Sequence, residues 1–110
     1  MIGNSNKNEN VISLKIENID ILEKYYVPFF KTGGIIINKN IAMGSSVLIM
    51  LSLNMGVKET KFKVVGKVQM ISPDKNGKNK NVGIAFDNNA ANKELKKIIE
   101  EKISQRLPNR

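Results

Sequence analysis

The sequence predicts a mainly β fold: a small antiparallel barrel or curled sheet, with a short helical turn near its start and one α-helix at its end. Three observations point to it. Apolar and polar residues alternate along the stretches that begin at Val11 and Lys61. Three further runs, rich in β-branched or apolar residues, are bounded by glycine, proline and asparagine. Apolar spacing switches to three- and four-residue steps only after Asn92. Five strands with short connections and one final helix bury their apolar faces most simply as a barrel with the helix over one opening.

Residues 3–10 are polar, rich in asparagine and without periodicity, so burial cannot offset the entropy of ordering them, and a flexible tail is expected over residues 1–10. The domain is expected over residues 11–107. Ile12, Leu14 and Ile16 alternate with Ser13, Lys15 and Glu17, which predicts a half-buried first strand. Asn18 is placed to cap a helical turn through Lys24, with Asp20 and Glu23 near its positive end. Pro28 stops that helix. Gly33-Gly34 opens a second strand, Ile35-Ile36-Ile37-Asn38, and the glycine pair suggests close backbone approach. After the turn at Met43-Gly44-Ser45, the run Val47-Leu48-Ile49-Met50-Leu51-Ser52-Leu53 is apolar enough to predict a third strand covered on both faces.

Asn54-Met55-Gly56 breaks that run. In the fourth strand, Phe62, Val64, Gly66, Val68 and Met70 alternate with Lys61, Lys63, Val65, Lys67 and Gln69, which predicts a wet lysine face. A long loop from Pro73 to Asn81 precedes a fifth strand, Val82-Gly83-Ile84-Ala85-Phe86, expected antiparallel to the fourth. Asn92 is the expected cap of the final helix, in which Leu95, Ile98, Ile99, Ile103 and Leu107 form the apolar stripe. Pro108 ends it, and residues 108–110 form a short tail.

Composition narrows the function. The chain has 110 residues, no cysteine and no histidine, so a disulfide framework, thiolate metal sites and histidine-based catalysis are excluded. No apolar run reaches the roughly 20 residues of a membrane helix, and the N-terminus lacks an apolar signal segment; a cytoplasmic protein without membrane insertion is expected. The net charge of +8 invites a nucleic-acid or acidic-membrane partner, but only Arg106 and Arg110 are arginines, so forked donors for phosphate and guanine are scarce. The ten carboxylates form no obvious catalytic pair, and no nucleophile elbow or phosphate-binding glycine loop occurs. No enzyme activity, cofactor or metal site is expected.

The segment Tyr26-Val27-Pro28-Phe29-Phe30-Lys31-Thr32-Gly33-Gly34-Ile35-Ile36-Ile37 resembles the PilZ domain, in particular the single-domain PilZ proteins of type IV pilus assembly. Gly44 to Leu53, Val65 to Pro73 and Val82 to Phe86 resemble successive later segments of that subgroup, so the likeness covers roughly residues 12–103 in order. It implies a PilZ-type β-barrel. Nucleotide-binding members of the family grip cyclic di-GMP with an upstream Arg-x-x-x-Arg and an Asp/Asn-x-Ser-x-x-Gly. Against the second motif, with Gly34 as its glycine, Phe29 stands in the Asp/Asn place and Lys31 in the Ser place. No arginine lies upstream, and Arg106-x-x-x-Arg110 matches the first motif only at the wrong end of the chain.

The resemblance therefore implies a non-catalytic adaptor in pilus biogenesis and twitching motility that does not itself bind cyclic di-GMP. Its implied partners are the cytoplasmic pilus extension ATPase and an EAL-domain regulator that senses cyclic di-GMP. Tyr26, Pro28, Phe29, Phe30 and Met70 are the candidate partner contacts. Tyr26 is preferred, as the tyrosine of the subgroup's Tyr-x-Pro-Phe motif, and Met70 stands where the subgroup often carries tryptophan. The alternatives are a cyclic di-GMP receptor with an altered grip, and a small basic RNA-binding barrel. Lys61, Lys63 and Lys67, with Lys75, Lys78 and Lys80 nearby, form either a patch for an acidic partner or a solvated face that discourages strand-to-strand aggregation. Nucleic acid would also need stacking aromatics, and Phe62 is the strand's only aromatic and is expected to face inward. Direct nucleic-acid binding is therefore not expected.

Overall fold

Alternation in the first apolar segment becomes β1 (Asn10–Ile16), and Asn18 caps α1 (Ile19–Tyr25) by accepting a 3.0 Å hydrogen bond from the Ile21 amide. There follow β2 (Gly34–Asn38), β3 (Ser46–Leu53), β4 (Thr60–Pro73), β5 (Lys80–Phe86) and α2 (Ala90–Arg106). This computed structural model describes residues 10–54, 59–73 and 80–106, without the Arg106 side chain. Residues 1–9 of the expected 1–10 tail, the break at Met55-Gly56, loop residues 74–79, and the helix end at Leu107-Pro108 with its short tail lie outside the described residues. Asn10, expected in the tail, instead begins β1 by pairing with Val47.

The strands form one curled sheet in the order β1-β3-β4-β5-β2, a half-barrel with α1 and α2 on its concave side. The mainly β architecture with an early short helix and a C-terminal helix is thus as the sequence predicts. β3–β4, β4–β5 and β5–β2 are antiparallel. β1 departs from the expected pattern by running parallel to β3. A parallel neighbour needs a crossover of about a dozen residues or more, and residues 17–45 provide it with α1 and β2 inside the connection.

Ile16, Ile49, Val64, Val68, Ile84 and Ile99 lie at the centre of the core, each nearly inaccessible to solvent. Leu95 joins Ile99 on α2, with Ile98 and Ile103 packed at the margin, so the three- and four-residue spacing does become the buried stripe of a helix.

Three local expectations change. β3 is buried on one face only: Val47, Ile49, Leu51 and Leu53 point inward, while Met50 is exposed, because no layer covers the sheet's outer side there. In β4 the register slips between Val68 and Met70; Gln69 is the extra residue, and beyond it Met70 lies opposite Gly83 on the outer face while Ile71 takes the inward place. At the C-terminal helix, Asn89 rather than Asn92 caps, its side chain accepting from the Asn92 amide at 2.8 Å. Asn92 is buried, and its side-chain amide donates to the carbonyls of Val65 (3.1 Å) and Asp87 (2.9 Å), tying α2 to the end of the sheet.

Candidate functional site

The candidate partner contacts divide between two places. Phe29, Phe30 and Met70 come together on the outer face of β2, β5 and β4. Tyr26 and Pro28 line a groove between α1 and α2.

The first group is built on glycine. After α1 the chain crosses to the sheet: Tyr26 bridges Ile35, and the Val27 amide donates to the Gly34 carbonyl at 2.8 Å. A tight turn then returns the Gly33 amide to the Phe30 carbonyl (2.9 Å), with Gly33 at φ +83°, in the left-handed region that favours glycine. The Thr32 hydroxyl donates to the Phe86 carbonyl at 2.5 Å, and the Phe86 amide donates to the Gly33 carbonyl, so the turn is fastened to the end of β5.

Phe30 then lies over Gly34 and Gly83, which leave the sheet without side chains at those positions. A Cβ on Gly34 would sit 2.5 Å from the Phe30 ring, and one on Gly83 would meet Phe30 at 3.2 Å and the Met70 thioether methyl at 3.0 Å. Phe29 packs its ring 5.2 Å from that of Phe30, tilted by 54°, and remains 71% exposed. An aromatic on a fixed turn, backed by a second aromatic and a methionine, can anchor a partner with little loss of entropy.

Tyr26 is inside the protein, contrary to its reading as a surface anchor. It is 6% exposed, and its hydroxyl donates to Glu100 on α2 at 2.7 Å. Burial, together with the hydrogen bond to the Glu100 carboxylate and its charge, pushes the Tyr26 phenol well above its ordinary value. Conversely, Glu100 is held below the usual carboxylate range, first by the Tyr26 hydrogen bond and then by Lys96, whose ammonium lies 3.1 Å away. Nothing in the sequence pairs residues 26 and 100; the contact exists because α1 and α2 pack together. Pro28 is exposed beside this pair, in a groove shared with Glu23, Ile103 and Ser104.

Of the positions set against the nucleotide motif, Phe29 and Lys31 are exposed and Gly34 is buried. Lys61, Lys63 and Lys67 form the expected wet face of β4, and Phe62 packs inward against the core. Lys80 is exposed at the start of β5, while Lys75 and Lys78 lie outside the described residues. Among the described residues no cluster of three or more acidic side chains could hold a metal, and no helix is long and apolar enough to cross a membrane. Two features escaped the sequence reading: Gly83 as the floor under Met70, and an outer groove around Met50. The alternation of β5 leaves Gly83 facing outward, a signal that became useful only once the β4 bulge was known.

Compared with known proteins, the chain matches no family model and no curated protein.

Proposed function

We propose that this protein is a non-catalytic docking domain, an adaptor of type IV pilus biogenesis whose binding surface is the Phe29, Phe30 and Met70 cluster. The observation that carries the docking reading is Phe29: a large apolar ring held 71% exposed at 5.2 Å from a supporting ring on a hydrogen-bonded turn. Leaving it in water costs solvation free energy that a partner's surface would recover. The pilus assignment, with the cytoplasmic extension ATPase as partner and an EAL-domain regulator as the source of the cyclic di-GMP signal, rests on the ordered resemblance to the PilZ subgroup.

Two features favour an adaptor over a cyclic di-GMP receptor. The Phe30 ring covers the glycine where a nucleotide would need close backbone approach. The Asp/Asn and Ser places of the motif hold Phe29 and Lys31, which offer neither short polar acceptors nor a compact hydroxyl.

The test is binding of the purified extension ATPase to immobilised wild type, Phe29→Ala and Lys24→Ala, with calorimetric titration of cyclic di-GMP alongside. Phe29→Ala is expected to keep the wild-type unfolding midpoint and to lose about 2 kcal/mol or more of ATPase affinity, the magnitude of a hot spot. Equal ATPase affinity in the folded Phe29→Ala protein rejects the surface, and tight stoichiometric nucleotide binding rejects the adaptor reading. Tyr26→Ala is unsuitable as a surface probe because it empties part of the core.

A further inference from the structure

A second surface lies on the outer face of β1, β3 and β4. The strand registers set Ser13, Met50 and Lys63 in one row across the sheet, and Lys15, Ser52 and Lys61 in the next. These side chains surround a groove of about 540 Å³ with a mostly apolar lining. Met50, 38% exposed, lies between the two lysine-bearing strands. On its other side the row Val11, Leu48 and Val65 extends the apolar surface, with Val11 60% and Val65 42% exposed.

The charge around this apolar strip is predominantly positive. Lys15, Lys61 and Lys63 line the groove, and Lys67 stands further along β4. The single acidic side chain in the lining is Glu59, which accepts a hydrogen bond from the Ser52 hydroxyl. That bond, with Lys61 and Lys15 nearby, holds its carboxyl below the usual range. Lys15 has a partner in Glu17 at 3.5 Å, whereas Lys61 and Lys63 form no salt bridge among the described residues. Lysine stems can lie along the apolar strip while their ammonium groups remain available at its edges.

The groove's chemistry selects one class of occupant. Its concavity suits an inserted side chain better than a flat bilayer. Single-stranded nucleic acid would need several aromatic faces for stacking, whereas Phe62 is the one aromatic in the lining and packs against the core. We propose that this groove docks an acidic segment of a partner protein, with one large apolar side chain seated against Met50 and flanking carboxylates on Lys15, Lys61 and Lys63. No residue of the Phe29, Phe30 and Met70 cluster takes part, so the proposal stands independently of the pilus assignment.

Fluorescence anisotropy with a labelled Asp-Glu-Asp-Leu-Glu-Asp-Glu peptide tests it on the full chain, beside the same peptide with glycine in place of leucine. Saturable binding is expected, weakened roughly tenfold or more by the double variant Lys61→Glu/Lys63→Glu and likewise by Met50→Ser or the glycine peptide. The double variant Lys93→Glu/Lys97→Glu, which changes the same charge on exposed positions of α2, is expected to leave affinity nearly unchanged. Circular dichroism confirms that each variant is folded. The proposal is overturned if the peptide does not bind, if both double variants weaken it equally, or if Met50→Ser leaves it unaltered. It is overturned too if phosphatidylglycerol vesicles or oligothymidine bind through Lys61 and Lys63 while the peptide does not.

Discussion

Replacing Gly34 by alanine probes the contact on which the aromatic cluster depends. The added Cβ would lie 2.4 Å from the Ile84 carbonyl oxygen, 2.5 Å from the Phe30 ring and 3.2 Å from the Ala85 Cα. Ordinary contact begins near 3.4 Å, so β2 would have to move by about an ångström relative to β5. Phe30 can rotate away, but the Ile84 carbonyl belongs to a ladder strand and cannot. Moving β2 also strains the 2.8 Å hydrogen bond from Val27 to Gly34. Overpacking of this kind costs about 1–3 kcal/mol, and a weakened hydrogen bond adds about 1 kcal/mol, so a loss near 3 kcal/mol is expected. With a urea slope of roughly 1.5–2 kcal/mol per molar for a domain of this size, the unfolding midpoint should fall by about 1.5–2 M. Gly44→Ala is the comparison: Gly44 has φ +84° and open space around its Cβ, so only the left-handed backbone is penalised, by about 1 kcal/mol. Gly34→Ala combined with Phe30→Ala should recover little of the loss, because the carbonyl clash remains. A Gly34→Ala midpoint equal to that of wild type would refute the close approach of β2 to β5, and full rescue by Phe30→Ala would show that the ring alone enforces the glycine.

Tyr26→Phe removes the hydroxyl that donates to Glu100 and should cost about 1 kcal/mol, at the low end for a bond to a charged group because Glu100 is partly open to solvent. The pH dependence carries its own sign. Glu100 has a depressed folded-state value, so its contribution is complete above the unfolded carboxylate value and is lost as pH falls through the folded one; Tyr26 has a raised value, so its contribution holds below the ordinary phenol range and is lost as pH rises beyond it. Thermal melts from pH 7 down to pH 3 should therefore converge for wild type and Tyr26→Phe, and parallel curves would contradict the pairing. Asn92→Ala strips donors from the Val65 and Asp87 carbonyls in a buried position and is expected to lower stability by about 2–3 kcal/mol in urea; a loss under about 0.5 kcal/mol would mean that water replaces the amide. Asn18→Ala removes the α1 cap and should cost about 1 kcal/mol, whereas Asn18→Ser should cost much less, both read from chemical denaturation.

Local chemistry was legible wherever one short segment sufficed to express it. The two-residue period of β1 and β4, the Asn18 cap, the stop before Pro28 and the apolar stripe of α2 each follow from backbone geometry and neighbouring side chains alone. The wet lysine face and the inward Phe62 follow from the same alternation. For the candidate site, the sequence marked Tyr26, Pro28, Phe29, Phe30 and Met70 together, but not which of them share a surface.

Long-range pairing determined the rest. Whether β1 joins β3 in parallel depends on where α1 and β2 carry the chain, and a strand's own residues do not encode the direction of its neighbour. The extra residue at Gln69 is visible only against the β5 register; it turns Met70 from the core to the surface and completes the aromatic cluster. Tyr26 went the other way. An amphipathic ring suits an interface or a core equally well, and packing of α1 against α2 supplied the buried acceptor, Glu100, 74 residues along the chain. The groove around Met50 likewise depends on three strands aligned side by side, since Lys15 and Lys61 share one surface only through the hydrogen-bond ladders that β3 makes on its two edges.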